Sequence, residues 1–211
     1  MLCIRWTSQR RSVRERLREV MAELLDRSTA VVKRYGGTLS QFTGDGIMAV
    51  FGAPVALEDH AFRACLAALG IQEEARRLAA GVQDRDGIGF RLRVGLNSGQ
   101  VIAGEIGSHT LGYTAVGQQV GLAQRMESVA PPGGVMLSES TARLVDGVAA
   151  LGGLELVQIK GAVEPVAAQR LLGIGERHRA VKRAESNLVG RRWEMSAVRG
   201  YWTVRSTATS R

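Results

Sequence analysis

The chain has 211 residues, 45% of them hydrophobic and 23% charged, with 26 Gly and only 4 Pro; this balance fits one globular domain with appendages and excludes a collagen-like or disordered polymer. No apolar run reaches the roughly 18 residues of a membrane span and the Arg-rich start lacks an apolar signal-peptide core, so the sequence reads as a soluble, cytoplasmic protein with no membrane partner. The net charge of +8 resides in the ends, +5 over residues 1–18 and +7 over residues 177–211, which leaves −4 for residues 19–176 and argues against a nucleic-acid groove in the folded part.

From Val13 to Tyr35 the apolar residues Leu17, Val20, Met21, Leu24, Leu25, Val31 and Val32 recur at three- and four-residue steps before Gly36-Gly37, which predicts a long amphipathic helix. Thr38–Thr43 and Ile47–Phe51, split by Gly44-Asp45-Gly46, predict a β-hairpin with Asp45 at its tip. Glu58-Asp59 opens a second helix, expected to run to about Ala80 and to end in the polar stretch 81–87. Alternation over Phe90–Leu96, followed by Gln100–Ile106, predicts another hairpin. Tyr113–Val116 reads as a strand leading into a helix over 117–130, which Pro131-Pro132-Gly133-Gly134 breaks. Val135–Leu137, a short helix over Ser138–Val145, and strands over Leu154–Ile159 and Val166–Leu172 complete an α+β sandwich, with helices on a mostly antiparallel sheet. The boundaries fall at an atypical basic segment 1–14, a domain 15–175, and a basic stretch 176–211.

Few residues invite chemistry on their own. A carboxylate on a glycine turn, as at Asp45, suits a divalent cation that carries phosphate, although an Asp in an Asp-Gly hairpin is also an ordinary turn former. Gly117 opens a helix with Arg125 two turns in, an arrangement that can hold phosphate or can simply place an Arg at the surface. His60, His109 and His178 make no ligand or triad spacing, and Cys3 and Cys65 make neither a disulfide framework nor a zinc site.

The pattern taken together is more specific. Tyr35-Gly36-Gly37, Thr43-Gly44-Asp45-Gly46-Ile47-Met48, Arg93-Val94-Gly95-Leu96-Asn97-Ser98-Gly99, Tyr113-Thr114-Ala115-Val116-Gly117, Ala123-Gln124-Arg125, Pro132-Gly133-Gly134 and Ile159-Lys160-Gly161 occur in one order. In that order and spacing, over roughly residues 15–173, the chain resembles the catalytic domain of class III nucleotide cyclases, the adenylyl and guanylyl cyclases. More narrowly it is similar to bacterial cyclase domains that precede a signal-transduction ATPase with a helix-turn-helix end. Asn187–Arg199 resembles the opening segment of such an ATPase.

The resemblance implies a ferredoxin-like fold and conversion of ATP or GTP to a 3′,5′-cyclic nucleotide and pyrophosphate. It implies Mg²⁺ or Mn²⁺ as cofactor and a head-to-tail homodimer, or a heterodimer with an intact cyclase domain. Asp45 matches the second of two metal-binding aspartates, Arg125 the transition-state arginine and Lys160 the triphosphate lysine. Gln41 and Thr114 match the purine-reading pair, and their amide and hydroxyl can still hydrogen-bond a purine edge, with ATP ahead of GTP.

Three departures weaken the implied activity. Gly121 stands where the family has a ribose-orienting asparagine, and Gln41 where it has a lysine. The first metal aspartate belongs to the strand before the long helix, and the family's spacing places it at or before Met1. Residues 1–14 contain no Asp, so the expected two-metal site is incomplete and the expected product is a weak or inactive cyclase. The alternative is a non-catalytic dimerisation or regulatory module, or the remnant of a cyclase–ATPase transcriptional regulator. Without that first strand the sheet would hold two unpaired edges around an open core. Leu2, Ile4 and Trp6 alternate with Cys3, Arg5 and Thr7, a pattern that fits a surrogate strand bringing no carboxylate.

Overall fold

The surrogate strand is present, and it lies inside the sheet, paired on both edges. In the computed structural model, which describes residues 1–8, 14–43, 46–105, 113–116, 118–159 and 164–175, β1 (Leu2–Ser8) precedes helix α1 (Arg14–Arg34). It lies between β3 (Gly46–Phe51) and β4 (Phe90–Leu96), antiparallel to both. With β2 (Gly37–Phe42), β7 (Val135–Ser138), β8 (Ala149–Val157) and β9 (Val166–Ile174), they form a seven-stranded sheet in the order β2-β3-β1-β4-β7-β9-β8. All pairings are antiparallel except β4 with β7. The open core expected for a missing strand is therefore closed: Leu2, Cys3 and Ile4 are buried, each large apolar side chain contributing about 1.5–3 kcal/mol.

Period-2 alternation assigns the two faces. Leu2 and Ile4 join Ile47, Ala49, Leu92, Val94 and Leu96 under α1 and α2 (His60–Asp86) in the main core. Cys3 and Met48 point the other way, toward α3 (Gln118–Val129). A short helix α4 (Glu139–Leu144) is capped by Ser138, whose Oγ accepts from the Thr141 N–H, and packs its Ala142 into the main core.

Besides β8, which begins at Ala149 and not at Leu154, two elements differ from the sequence reading. Helix α2 does not stop near Ala80 but continues to Asp86 and ends at Gly87 in the left-handed conformation, φ 65°, with its N–H donating to the Gln83 carbonyl. Leu78 and Val82, four residues apart and both buried, extend the apolar stripe through Gly81, which outweighs the roughly 1 kcal/mol helix cost of one Gly. The second difference concerns β5 (Ile102–Glu105), which pairs with β6 (Tyr113–Val116) in a separate two-stranded ribbon and not with β4. The edge of β4 expected to receive it is taken by β7, with Val94 opposite Val135 and Leu96 opposite Leu137. Among the described residues no helix is long and apolar enough to cross a membrane.

Candidate functional site

Helix α3 lies on the sheet face opposite α1 and α2, and its placement is fixed at both ends. At its start, Asn97 at the end of β4 is buried and donates from Nδ2 to the Gln119 carbonyl (2.9 Å) and to Gln119 Oε1 (2.8 Å), while its Oδ1 accepts from Ser138 Oγ (2.7 Å) and Ser140 Oγ (3.2 Å). Further along, Gly95 permits a close crossing: a Cβ there would lie 2.1 Å from the Glu127 nitrogen and 2.3 Å from the Ala123 carbonyl oxygen. Between these points Ala123 packs on Cys3 and Met48, and Gln124 Nε2 reaches Met48 Sδ at 3.7 Å.

With Ala123, Met126 and Glu127 turned inward, Gly121 and Arg125, one turn apart, share another side of the helix. Arg125 is half-buried and its carbonyl accepts from Ser128 Oγ at 2.8 Å. A side chain added at Gly121 would meet nothing within 4 Å. Strand β6, which carries Thr114, packs against both α3 and β2. Gln41, exposed on β2 just after a register shift at Leu39, lies opposite Met48 of β3. The fold thus gathers the elements carrying Gln41, Thr114, Gly121 and Arg125; for Thr114 the description extends to the strand alone. Asp45 and Lys160 lie outside the described residues.

The sequence reading gave Arg5 no role. Arg5 pairs in register with Gly46, the residue after Asp45, and with Arg93 on β4. Both guanidiniums turn toward α3. Arg5 Nε stands 3.8 Å from the Glu127 carboxylate, whose side chain is only 2% exposed, and Arg93 Nη1 donates to the Ser128 carbonyl at 3.1 Å. Arg93 Nε is buried without a hydrogen-bond partner. The alternation of residues 2–7 was the available signal, because it places Arg5 on the same face as Cys3.

A cavity of about 440 Å³ lies elsewhere, at the Met1 end of β1, walled by Phe51, Gly52, His60, Asn97 and Gln119 among others. It holds none of Gln41, Thr114 or Arg125, and Gly46 is at the other end of β3.

A mixed seven-stranded sheet with α3 on one face and α1 and α2 on the other, and with a separate two-stranded ribbon, is the cyclase-like α+β architecture. The sequence profile described as "Adenylate and Guanylate cyclase catalytic domain" matches residues 7–167. The chain belongs to that family and is a class III cyclase domain. It is 34% identical over 111 residues to Adenylate cyclase 1 of Rhizobium meliloti (strain 1021), covering 52% of this chain and 17% of that protein. Against the receptor-type guanylate cyclase gcy-10 of Caenorhabditis elegans it is 31% identical over 137 residues, 64% of this chain and 13% of that one. The chain therefore spans less than a fifth of the length of these relatives.

Among solved structures, the guanylyl cyclase Cya2 superposes with a TM-score of 0.72 at 30% identity, over 83% of this chain and 94% of its own. The guanylate cyclase domain of RhGC from Catenaria anguillulae, in complex with GTP, gives 0.70 at 28% identity, over 82% and 96%.

Proposed function

We propose that this domain supplies the nucleotide-recognising half of a cyclase site and contributes little or no activity as a homodimer. The observation that carries this reading is the contrast between its two surfaces. One surface gathers the strands of Gln41 and Thr114 beside the Arg125 side of α3. The other, along β1 and β3, offers no carboxylate from β1, whose residue beside the hairpin is Arg5.

On the first surface, the Gln41 amide and the Thr114 hydroxyl would hold the purine edge, ATP ahead of GTP, and Arg125 with Lys160 would neutralise charge on the polyphosphate as it develops. In cyclases the divalent cation, Mg²⁺ or Mn²⁺, activates the attacking hydroxyl and steadies the departing pyrophosphate. The donor set here does not fit a pair of such cations. Asp45 is one carboxylate, and the strand that should provide the other presents a guanidinium, which repels a dication at short range. A heterodimer with an intact cyclase domain resolves the mismatch, because the partner brings both carboxylates to this chain's Arg125. The reading takes the domain of residues 15–175, completed by β1 from the basic segment 1–14, as part of a cytoplasmic signalling protein and treats 176–211 as a linker toward an ATPase.

The test is complementation. This chain is mixed with a cyclase domain that retains both metal aspartates but whose transition-state arginine is changed to Ala, and cyclic AMP and cyclic GMP are measured with Mn²⁺. Product from the mixture and not from either component supports the composite site. Product that persists when this chain carries Arg125→Ala contradicts it.

A further inference from the structure

Gln72, in the middle of α2, is only 3% exposed, and its amide is half satisfied. Nε2 donates to the Gly134 carbonyl at 2.9 Å and to the Leu92 carbonyl at 3.3 Å, which spends both of its hydrogens. These bonds fix the orientation of the amide, since turned over it would set Oε1 against two carbonyl oxygens. Oε1 itself has no hydrogen-bond partner among the described residues. An acceptor left so on a buried side chain calls for a donor. Gln72 lines a cavity of about 340 Å³ between α2, the start of β4 and the 131–134 turn, large enough for a small ligand. Ala75, Ala79, Leu92 and Pro132 give it apolar walls. Its charged liners are Arg76 and Arg91, and among the described residues no acidic side chain lines it. Arg76 is spent on Glu73 at 2.7 Å, whereas Arg91 is exposed and forms no ion pair among the described residues.

We propose that this cavity binds a purine nucleotide with a single phosphate, and that its ligand is cyclic AMP, a product of the reaction this family performs. Each part of that molecule answers one part of the cavity. The apolar walls take the flat base, and the exocyclic amino group of adenine donates to Gln72 Oε1, which can accept but has no hydrogen left to give. The single negative charge of the cyclic phosphate goes to Arg91, whose guanidinium is a planar fork of donors matched to phosphate oxygens. A nucleoside triphosphate is the poorer match, because one unspent guanidinium cannot offset several negative charges held close together. The cavity adjoins α2, on the sheet face opposite α3 and its Arg125, so it is separate from the nucleotide surface proposed above. The choice of a cyclic nucleotide rests on the reading of the chain as a cyclase domain, whereas the cavity and its unpaired acceptor stand without it.

The experiment is calorimetric titration of the purified chain with cyclic AMP, adenosine and inorganic phosphate, repeated for cyclic AMP with Arg91→Gln, with Ala79→Leu, which fills the cavity, and with Arg125→Ala. The expected result is saturable binding of cyclic AMP, with adenosine and phosphate each weaker by about tenfold or more. Arg91→Gln and Ala79→Leu should each weaken cyclic AMP by a similar factor, and Arg125→Ala should leave it unchanged. Absence of cyclic AMP binding to the parent chain overturns the inference and leaves the cavity to water. Adenosine binding as tightly as cyclic AMP, or Arg91→Gln binding as tightly as the parent, also overturns it. So does binding that Arg125→Ala abolishes and Ala79→Leu retains, which puts the nucleotide on α3. The comparison of the three ligands uses the unaltered chain, so it decides the matter even if Ala79→Leu fails to fold. Complementation reads product formation at Arg125 and not this cavity, so the two proposals fail separately.

Discussion

Gly46 and Ile4 meet backbone to backbone: a Cβ built on Gly46 would lie 1.7 Å from the Ile4 carbonyl oxygen. The central strand can sit beside β3 at this point only because residue 46 has no side chain. That contact aligns Arg5 with the residue following Asp45.

Gly46→Ala should therefore expel β1 from the sheet or shift its register. The expected loss is about 3 kcal/mol or more, since neither colliding atom belongs to a flexible side chain and the burial of Leu2 and Ile4 is at stake. Urea unfolding gives the magnitude. Amide exchange gives the cause, with Cys3 and Ile4 protected in the parent chain and exposed to exchange in the variant.

Much of this architecture could be read from the residues. Leu2, Ile4 and Trp6 against Cys3, Arg5 and Thr7 is a period-2 pattern, and it predicted the strand that Leu2–Ser8 forms. The hairpin around residues 44–46 and the limits of α1 followed from turn chemistry and 3.6-residue spacing. The partner of β5 did not, because pairing over a short loop is the local expectation and only tertiary contacts reveal that β7 holds that edge of β4. The end of α2 was misplaced because Gly81 looks like a stop until Val82 is seen buried. Motif order marked Gln41, Thr114 and Arg125 as candidates, and the elements that carry them come together in the fold. The Arg5, Arg93 and Glu127 grouping was not, because it joins three elements distant in sequence.

Asn97 is expected to be the residue on which the site's helix depends. It ties Gln119 of α3 to Ser138 and Ser140 while shielded from water. Asn97→Ala leaves several buried polar groups unpaired and should cost about 2–4 kcal/mol in chemical denaturation. Its effect on complementation should exceed what lowered stability explains, because α3 carries Arg125.

Gly121→Asn should do the opposite. The open space around Gly121 accepts a side chain, and removing a helical Gly favours α3, so thermal stability should hold or rise slightly. The new amide lies one turn from Arg125, where the resemblance places a ribose-orienting group. In the complementation assay product formation should rise about tenfold or more. An unchanged rate would show that residue 121 does not face the ribose.

The buried thiol of Cys65 sets a response to alkali. Burial pushes its pKa up to about 12, whereas in the unfolded chain it ionises near 8.5. The neutral thiol thus favours the native state fully below about pH 8.5, and this contribution fades as pH rises toward 12. Between about pH 8 and about pH 10 the parent chain should lose about 2 kcal/mol more stability than Cys65→Ala. Parallel pH profiles for the two would place the thiol in water.

The central claim is that the metal half of this site is broken by Arg5 and the lone Asp45, while the nucleotide half is kept. The direct measurement is cyclic AMP and cyclic GMP formation by the purified, monodisperse chain with Mn²⁺, beside Asp45→Ala prepared identically. The account predicts no product from the chain alone and no difference between the two proteins. Cyclic nucleotide made by the parent chain and abolished by Asp45→Ala would contradict it, for a single matched carboxylate would then be enough.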